Sequence, residues 1–185
     1  MTAFVEIDGS VFGDIRKHLA DLPDVLDRGL LAGIMEASLL LQWETAERTP
    51  SAAGALRGSI IAAMPERTGG FAANSVDGAG RAGGAVLGVV GSPLAYAEPV
   101  ELGTKPHMPP LQPILDWVTL RLGLKGGEAK KAAEAIRWKI HHHGTQGAFM
   151  FRDALKANHE QMVRKVEEAL RRELETHRQR GGANA

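Results

Sequence analysis

The 185-residue chain contains no cysteine, so it has neither disulfides nor thiolate metal ligands. Aromatic residues are scarce at 5%, which leaves the core to Leu, Ile, Val, Met and Ala. No long apolar run is present. The most apolar window, residues 30–43 (LLAGIMEASLLLQW), is too short for a membrane span and includes Glu36 and Gln42. The start, MTAFVEIDGS, lacks the basic and apolar regions of a signal peptide, so a soluble protein made in the cytoplasm is expected, with no membrane partner. Net charge is lacking as well: 22 Lys and Arg balance 22 Asp and Glu. A tight DNA binder, whose affinity rests on neutralising phosphates, is not expected from that balance.

What is present is ordinary for one folded domain: 44% apolar and 24% charged residues, in a chain long enough to bury a core. The charge is unevenly spread. Residues 1–50 hold four basic and nine acidic residues, a formal −5, and the remainder is +5. Basic and acidic residues alternate in that remainder, as on a solvated surface, although opposed halves also suit subunits stacking on one another.

Periodicity predicts a mixed fold. Phe4, Val5, Glu6 and Ile7 alternate as in a short strand, and a short helix is expected over residues 11–20. Asp21 and Pro23 read as the cap and first turn of a second helix ending near Thr49 and Pro50, with Leu26, Leu30, Ile34, Ala37 and Leu41 facing the core. Residues 55–64 and 84–91 read as strands of an antiparallel hairpin. Between them, residues 65–83 form a flexible Gly-rich arm. Prolines at 99, 106, 109, 110 and 113 forbid a long helix, so a turn around Tyr96 and an extended strip over 96–110 are expected. Pro113 opens a helix that Gly123 stops, and another covers about 127–142. The last helix runs over about 151–178, with Phe151, Leu155, Met162, Val166, Leu170 and Leu174 on one stripe and a frayed GGANA tail. Its polar face offers the i, i+4 pairs Glu160–Arg164, Arg164–Glu168, Glu168–Arg172 and Arg171–Glu175. The fold class is therefore α+β: an antiparallel sheet with a hairpin arm, packed by a long N-terminal helix and C-terminal helices. One domain covers 1–160, and 161–185 is a helical extension.

Two motifs invite an enzymatic reading and fail it. His141, His142 and His143 in KIHHHGTQGAFMF are consecutive, so on a helix they point about 100° apart and cannot converge on one ion. They suit the last turn of a helix, where histidine faces free carbonyls, with Gly144 as terminator. The run from Gly78 to Gly83, GAGRAG, is a literal G-x-G-x-x-G, but a strand rather than a helix is expected after it. Ser59 and Ser92 sit in no nucleophile turn, and no base is evident beside them. No catalytic residue, metal or cofactor is assigned.

Four ordered stretches carry a family resemblance. They are VEIDGS with the helices after it; residues 49–60, TPSAAGALRGSI, similar to T/A-P-x-x-T-G-x-L-R-x-S-I; residues 96–104, YAEPVELGT, similar to Y-A-x-x-V-E-x-G-T and followed by KPHMPP; and HGT at 143–145 with FMFRDAL at 149–155, similar to H-G-T…F-[ML]-x-x-A-L. Together they resemble the phage tail-completion, or head–tail joining, family, the group that includes minor tail protein Z of lambda-like siphophages. Ala53 stands where that family has Thr, and Pro99 where an aromatic is common.

The resemblance implies a non-enzymatic virion protein of the neck, assembled in the host cytoplasm. It implies a ring of copies, a hexamer on the family pattern, between a head-completion (stopper) ring and the tail terminator or tube. Packaged DNA would pass through with weak contact. On that reading the arm supplies Gly69, Gly70, Phe71 and Arg81 as contacts. The strip supplies Tyr96, Glu101, Gly103, Thr104, Lys105, His107 and Met108, and the turn after the histidines supplies Gly144, Thr145 and Phe149. The alternative is a DNA-contacting accessory or assembly protein using Arg171, Arg172, Arg178 and Arg180 on the last helix.

Overall fold

A computed structural model describes residues 10–50, 54–63, 80–82 and 85–182. The expected strand at 4–7 lies outside these residues, as do most of the arm and the end of the tail. The elements in order are α1 (Ser10–Arg48), α2 (Ala55–Gly58), β1 (Ile61–Ala63), β2 (Gly80–Ala82), β3 (Ala85–Leu87) and β4 (Val89–Gly91). They continue with α3 (Ala97–Leu102), β5 (Gly103–Thr104), α4 (Leu111–Leu122), α5 (Gly126–His143), β6 (Thr145–Gln146) and α6 (Met150–Gly182). The protein is mostly helical, with a long N-terminal helix and small antiparallel strand pairs.

The body is an antiparallel pair of long helices, α1 and α6. Arg28 meets Glu173 at 3.2 Å, whereas Glu44 receives a hydrogen bond from Asn158 Nδ2 at 3.1 Å, so the partners run in opposite directions. Small residues line the seam. A Cβ placed on Gly33 would lie 2.6 Å from Val166 Cα, and one on Gly29 would lie 3.0 Å from Leu170 Cα. Only glycine lets the backbones approach that closely. Val25, Ala37, Ala154 and Ala169 fill the remainder of the seam or its margins, all buried.

This packing corrects three sequence readings. The helices expected at 11–20 and from Pro23 are one helix, with Pro23 inside it. Proline forfeits one hydrogen bond there, and the long contact with α6 outweighs that local cost. The buried stripe of α1 passes through Val25, Ala37, Ser38 and Thr45, and Leu26 is exposed. On α6, likewise, Met150, Ala154, Asn158 and Ala169 are buried, while Leu155 and Leu174 are exposed. Close approach puts the small side chains in the seam and moves the large ones to its flanks. Arg172 reaches across the seam to Glu36 on α1, whereas Glu175–Arg178 at 2.7 Å and Glu160–Arg164 at 3.8 Å are made within α6. Residues 161–182 continue α6 without interruption along α1.

Among the described residues the strands are shorter than the sequence implies, and they form three separate two-stranded pairs. Residues 55–58 make a helical turn after Gly54, leaving β1 to pair with β4, Ile61 opposite Gly91. The single strand expected at 84–91 is divided at Gly88 between β3 and β4, and a Cβ on Gly88 would lie 2.2 Å from Ser38 Oγ on α1. β3 turns instead to β2, with Arg81 opposite Val86. Gln42 Oε1 accepts the Ala62 N–H at 3.0 Å and anchors β1 to α1.

Helices α4 and α5 form a hairpin with its own core, in which Val118, Ala129 and Ala133 are buried among Leu111, Ile114, Leu115 and Ile136. α4 ends where expected, at Gly123 in the left-handed region, although it begins two residues before Pro113. No helix among the described residues is long and apolar enough to cross a membrane.

Candidate interaction surface

Three of the stretches that carry the family resemblance meet in space. Leu56, Ala97 and Met150 form one buried cluster, closed by Leu94, Val100 and Phe151. Each residue comes from a different stretch, and their apolar burial joins segments up to 94 positions apart in number. Beside the cluster, Ser59 and Ser92 hydroxyls share a hydrogen bond at 2.7 Å, which fixes the start of β1 against the segment after β4.

The second junction is the β5–β6 pair, which sequence periodicity does not reveal because each strand is two residues long. Gly103 lies opposite Gln146 and Thr104 opposite Thr145. The two threonine hydroxyls are 2.9 Å apart, and the Thr145 N–H donates to Thr104 Oγ1 at 3.2 Å. Gly103 and Gly144 have φ of +81° and +70°, and a Cβ on Gly144 would lie 1.9 Å from the Thr104 carbonyl oxygen. Both positions therefore require glycine twice over, for conformation and for space.

Past this clasp the Ala148 N–H donates to the Val100 carbonyl at 2.8 Å and the Phe149 N–H to that of Glu101 at 3.1 Å. Glu101 then accepts the Phe151 and Arg152 N–H groups, at 3.0 and 3.1 Å, on its two carboxylate oxygens. Those are free donors of the first turn of α6, so Glu101 is its N-terminal cap from a remote helix. Phe149 adopts φ +51°, uncommon for a non-glycine residue, with the Arg152 guanidinium 3.7 Å above its ring.

Of the expected contact residues, Glu101, Gly103, Thr104, Gly144, Thr145 and Phe149 are thus brought together and engaged within the chain. Tyr96, Lys105, His107 and Met108 are exposed around the Pro-rich strip. The strip is tied down at its far end: Arg137 Nε donates to the Pro109 carbonyl at 3.0 Å. Gly69, Gly70 and Phe71 lie outside the described residues, and Arg81 is placed only by its position on β2.

The histidine run occupies the last turn of α5, and the Gly144 N–H closes it on the Ile140 carbonyl at 2.8 Å. The His142 ring lies 4.0 Å from that of Trp138. Among the described residues no group of three or more His, Asp or Glu could hold a metal ion. Two of the four arginines considered for DNA, Arg172 and Arg178, are in ion pairs with Glu36 and Glu175.

Two apolar faces escaped the sequence reading. On α1, Met35, Leu39 and Trp43 follow at i, i+4, i+8 and are all exposed. On α4, Trp117 and Leu120 lie outside the set of residues that packs on α5, and both are exposed. The signal was available: α4 is apolar on both sides, and a helix of that kind is normally covered on both. No protein-family model matches the chain, and no curated protein or solved structure matches it.

Proposed function

We propose that the protein is a structural joint of a phage neck, a ring-forming subunit between the head-completion ring and the tail terminator or tube. The observation that carries this reading is the convergence of residues 49–60, 96–104 and 143–155. These stretches carry the resemblance, lie far apart in sequence, and meet at Leu56–Ala97–Met150 and at the β5–β6 clasp. Residues that define a shared architecture are expected to meet in this way.

The pairing of β1 with β4 brings the two ends of the 64–88 region together, as a hairpin arm over 65–83 requires. In this reading the arm reaches a neighbouring subunit, and the exposed Tyr96, Lys105, His107 and Met108 lie against the ring above or below. DNA passes without being gripped, in keeping with the zero formal charge and with the pairing of Arg172 and Arg178 to carboxylates.

Cryo-electron microscopy of the particles that encode this chain tests the reading. Density for a ring of this subunit between head and tail is expected. A complete neck without it would overturn the joint and move the DNA-contacting alternative forward. Deleting residues 69–80 should leave a folded subunit that fails to join heads to tails, and normal infectious particles from that deletion would remove the arm's role.

A further inference from the structure

We infer that the α4–α5 hairpin with its leading strip, residues 105–143, is a separate mechanical unit that pivots on the β5–β6 clasp. The chain enters this unit after Thr104 and leaves it at Gly144, just before Thr145, and the two threonines lie directly opposite each other in the clasp. Entry and exit are thus one ribbon, two strands wide and two residues long. The unit has its own core: Val118, Ala129 and Ala133 are buried by apolar side chains from residues 111–136. The Leu56–Ala97–Met150 cluster of the body takes no residue from it.

Polar contacts draw the same boundary. Arg137 holds the Pro109 carbonyl, the His107 N–H reaches the Ile140 carbonyl at 3.5 Å, and Gln112 donates to Asp116 at 2.7 Å, all inside the unit. Among the described residues no ion pair joins the unit to the body. The bond that leaves it, from the Gly144 N–H to the Ile140 carbonyl, ends at the clasp. Two parts of one chain move against each other by default unless a large apolar interface joins them. Here α4 and α5 pack chiefly on each other, and strands this short are too small to be rigid alone. The tightly packed Gly103 and Gly144 keep the two strands together, so the unit swings as a whole and its ends do not separate. A unit of about 40 residues with so small a core is also marginal, so it opens more readily than the α1–α6 pair. The exposed Trp117 and Trp138 ride on the swinging part. None of this depends on the neck reading.

The test uses the full chain, which has no cysteine, so pairs of introduced cysteines carry spin labels without background. Glu134→Cys with Glu167→Cys spans the unit and the body. Leu39→Cys with Glu167→Cys lies within the body, and Leu120→Cys with Glu134→Cys within the unit; all four sites are exposed. Double electron–electron resonance should give the spanning pair a distance distribution about twice as wide as either control. Thr104→Val removes both hydroxyl contacts of the clasp at nearly constant shape. It should widen the spanning distribution further and leave both controls as they were. In hydrogen exchange of the full chain, Val118→Ala should speed the amides of α4 and α5 by at least about 10-fold and leave those of α1 and α6 unchanged. A spanning distribution as narrow as the controls overturns the pivot, and so does a Thr104→Val variant of unchanged width. Exchange that rises in α1 and α6 together with the hairpin would make the chain one cooperative body and overturn the separate unit.

Discussion

Glu101 and Phe151, 50 positions apart, are joined by a hydrogen bond from the Phe151 N–H to a Glu101 carboxylate oxygen at 3.0 Å, and the neighbouring oxygen takes the Arg152 N–H at 3.1 Å. A carboxylate at the positive end of a 33-residue helix satisfies two orphan donors and the helix dipole at once. It also pins α3 to the start of α6.

Glu101→Ala should therefore destabilise the protein by about 1–2 kcal/mol, the range for losing a helix cap. Glu101→Gln keeps one acceptor and should lose less. Urea denaturation of the two variants checks the order, and equal stability of Glu101→Ala and wild type would show that the cap is dispensable.

Gly33 is the tightest point of the α1–α6 seam, with Val166 Cα 2.6 Å from where its Cβ would sit. Gly33→Leu should force the helices apart and cost about 1–3 kcal/mol. The favourable helix propensity of alanine, about 1 kcal/mol over glycine, should not rescue Gly33→Ala. Thermal melts would read both, and a gain from Gly33→Ala would show that the seam has slack.

Thr45 is fully buried, and its hydroxyl has no hydrogen-bond partner, although its carbonyl accepts from the Thr49 hydroxyl at 2.7 Å. Thr45→Val removes the unpaired oxygen at nearly constant shape and should raise stability by about 1 kcal/mol. A loss measured by chemical denaturation would mean that the hydroxyl has a partner after all.

The Glu44 carboxyl is held below its ordinary value of 4.5, first by the hydrogen bond from Arg48, with the bond from Asn158 and the Arg48 charge adding to it, while desolvation opposes the shift. A depressed carboxylate contributes stability above its unfolded value and loses that contribution as pH falls through its folded value. Unfolding midpoints measured from pH 6 down to pH 3 should fall more steeply for the wild type than for Glu44→Gln. Parallel curves would remove Glu44 from the acid response.

Much of the helical outline was legible because its signals are local. Gly123 and Gly144 stop α4 and α5 where the sequence places the stops, and the last-turn histidines of α5 follow from their position before Gly144. The site was legible as motifs and not as geometry. Glu101, Gly103, Gly144 and Thr145 read as surface contacts, yet they clasp the chain to itself through strands of two residues, which are too short to leave a period.

The sequence by itself determined the absence of disulfides, the helical segments and their glycine stops, and the division into an acidic first 50 residues and a basic remainder. Only the tertiary structure decided that α1 runs through Pro23, that Leu26 and Leu155 face outward while Gly29, Gly33 and Ala169 occupy the seam, and that Glu101 caps α6. The reason is physical. Caps, glycine stops and charge act over one or two turns of chain and can be read in order. Which side chains a seam admits depends on how closely a helix more than 100 residues away approaches, and no local pattern records that distance.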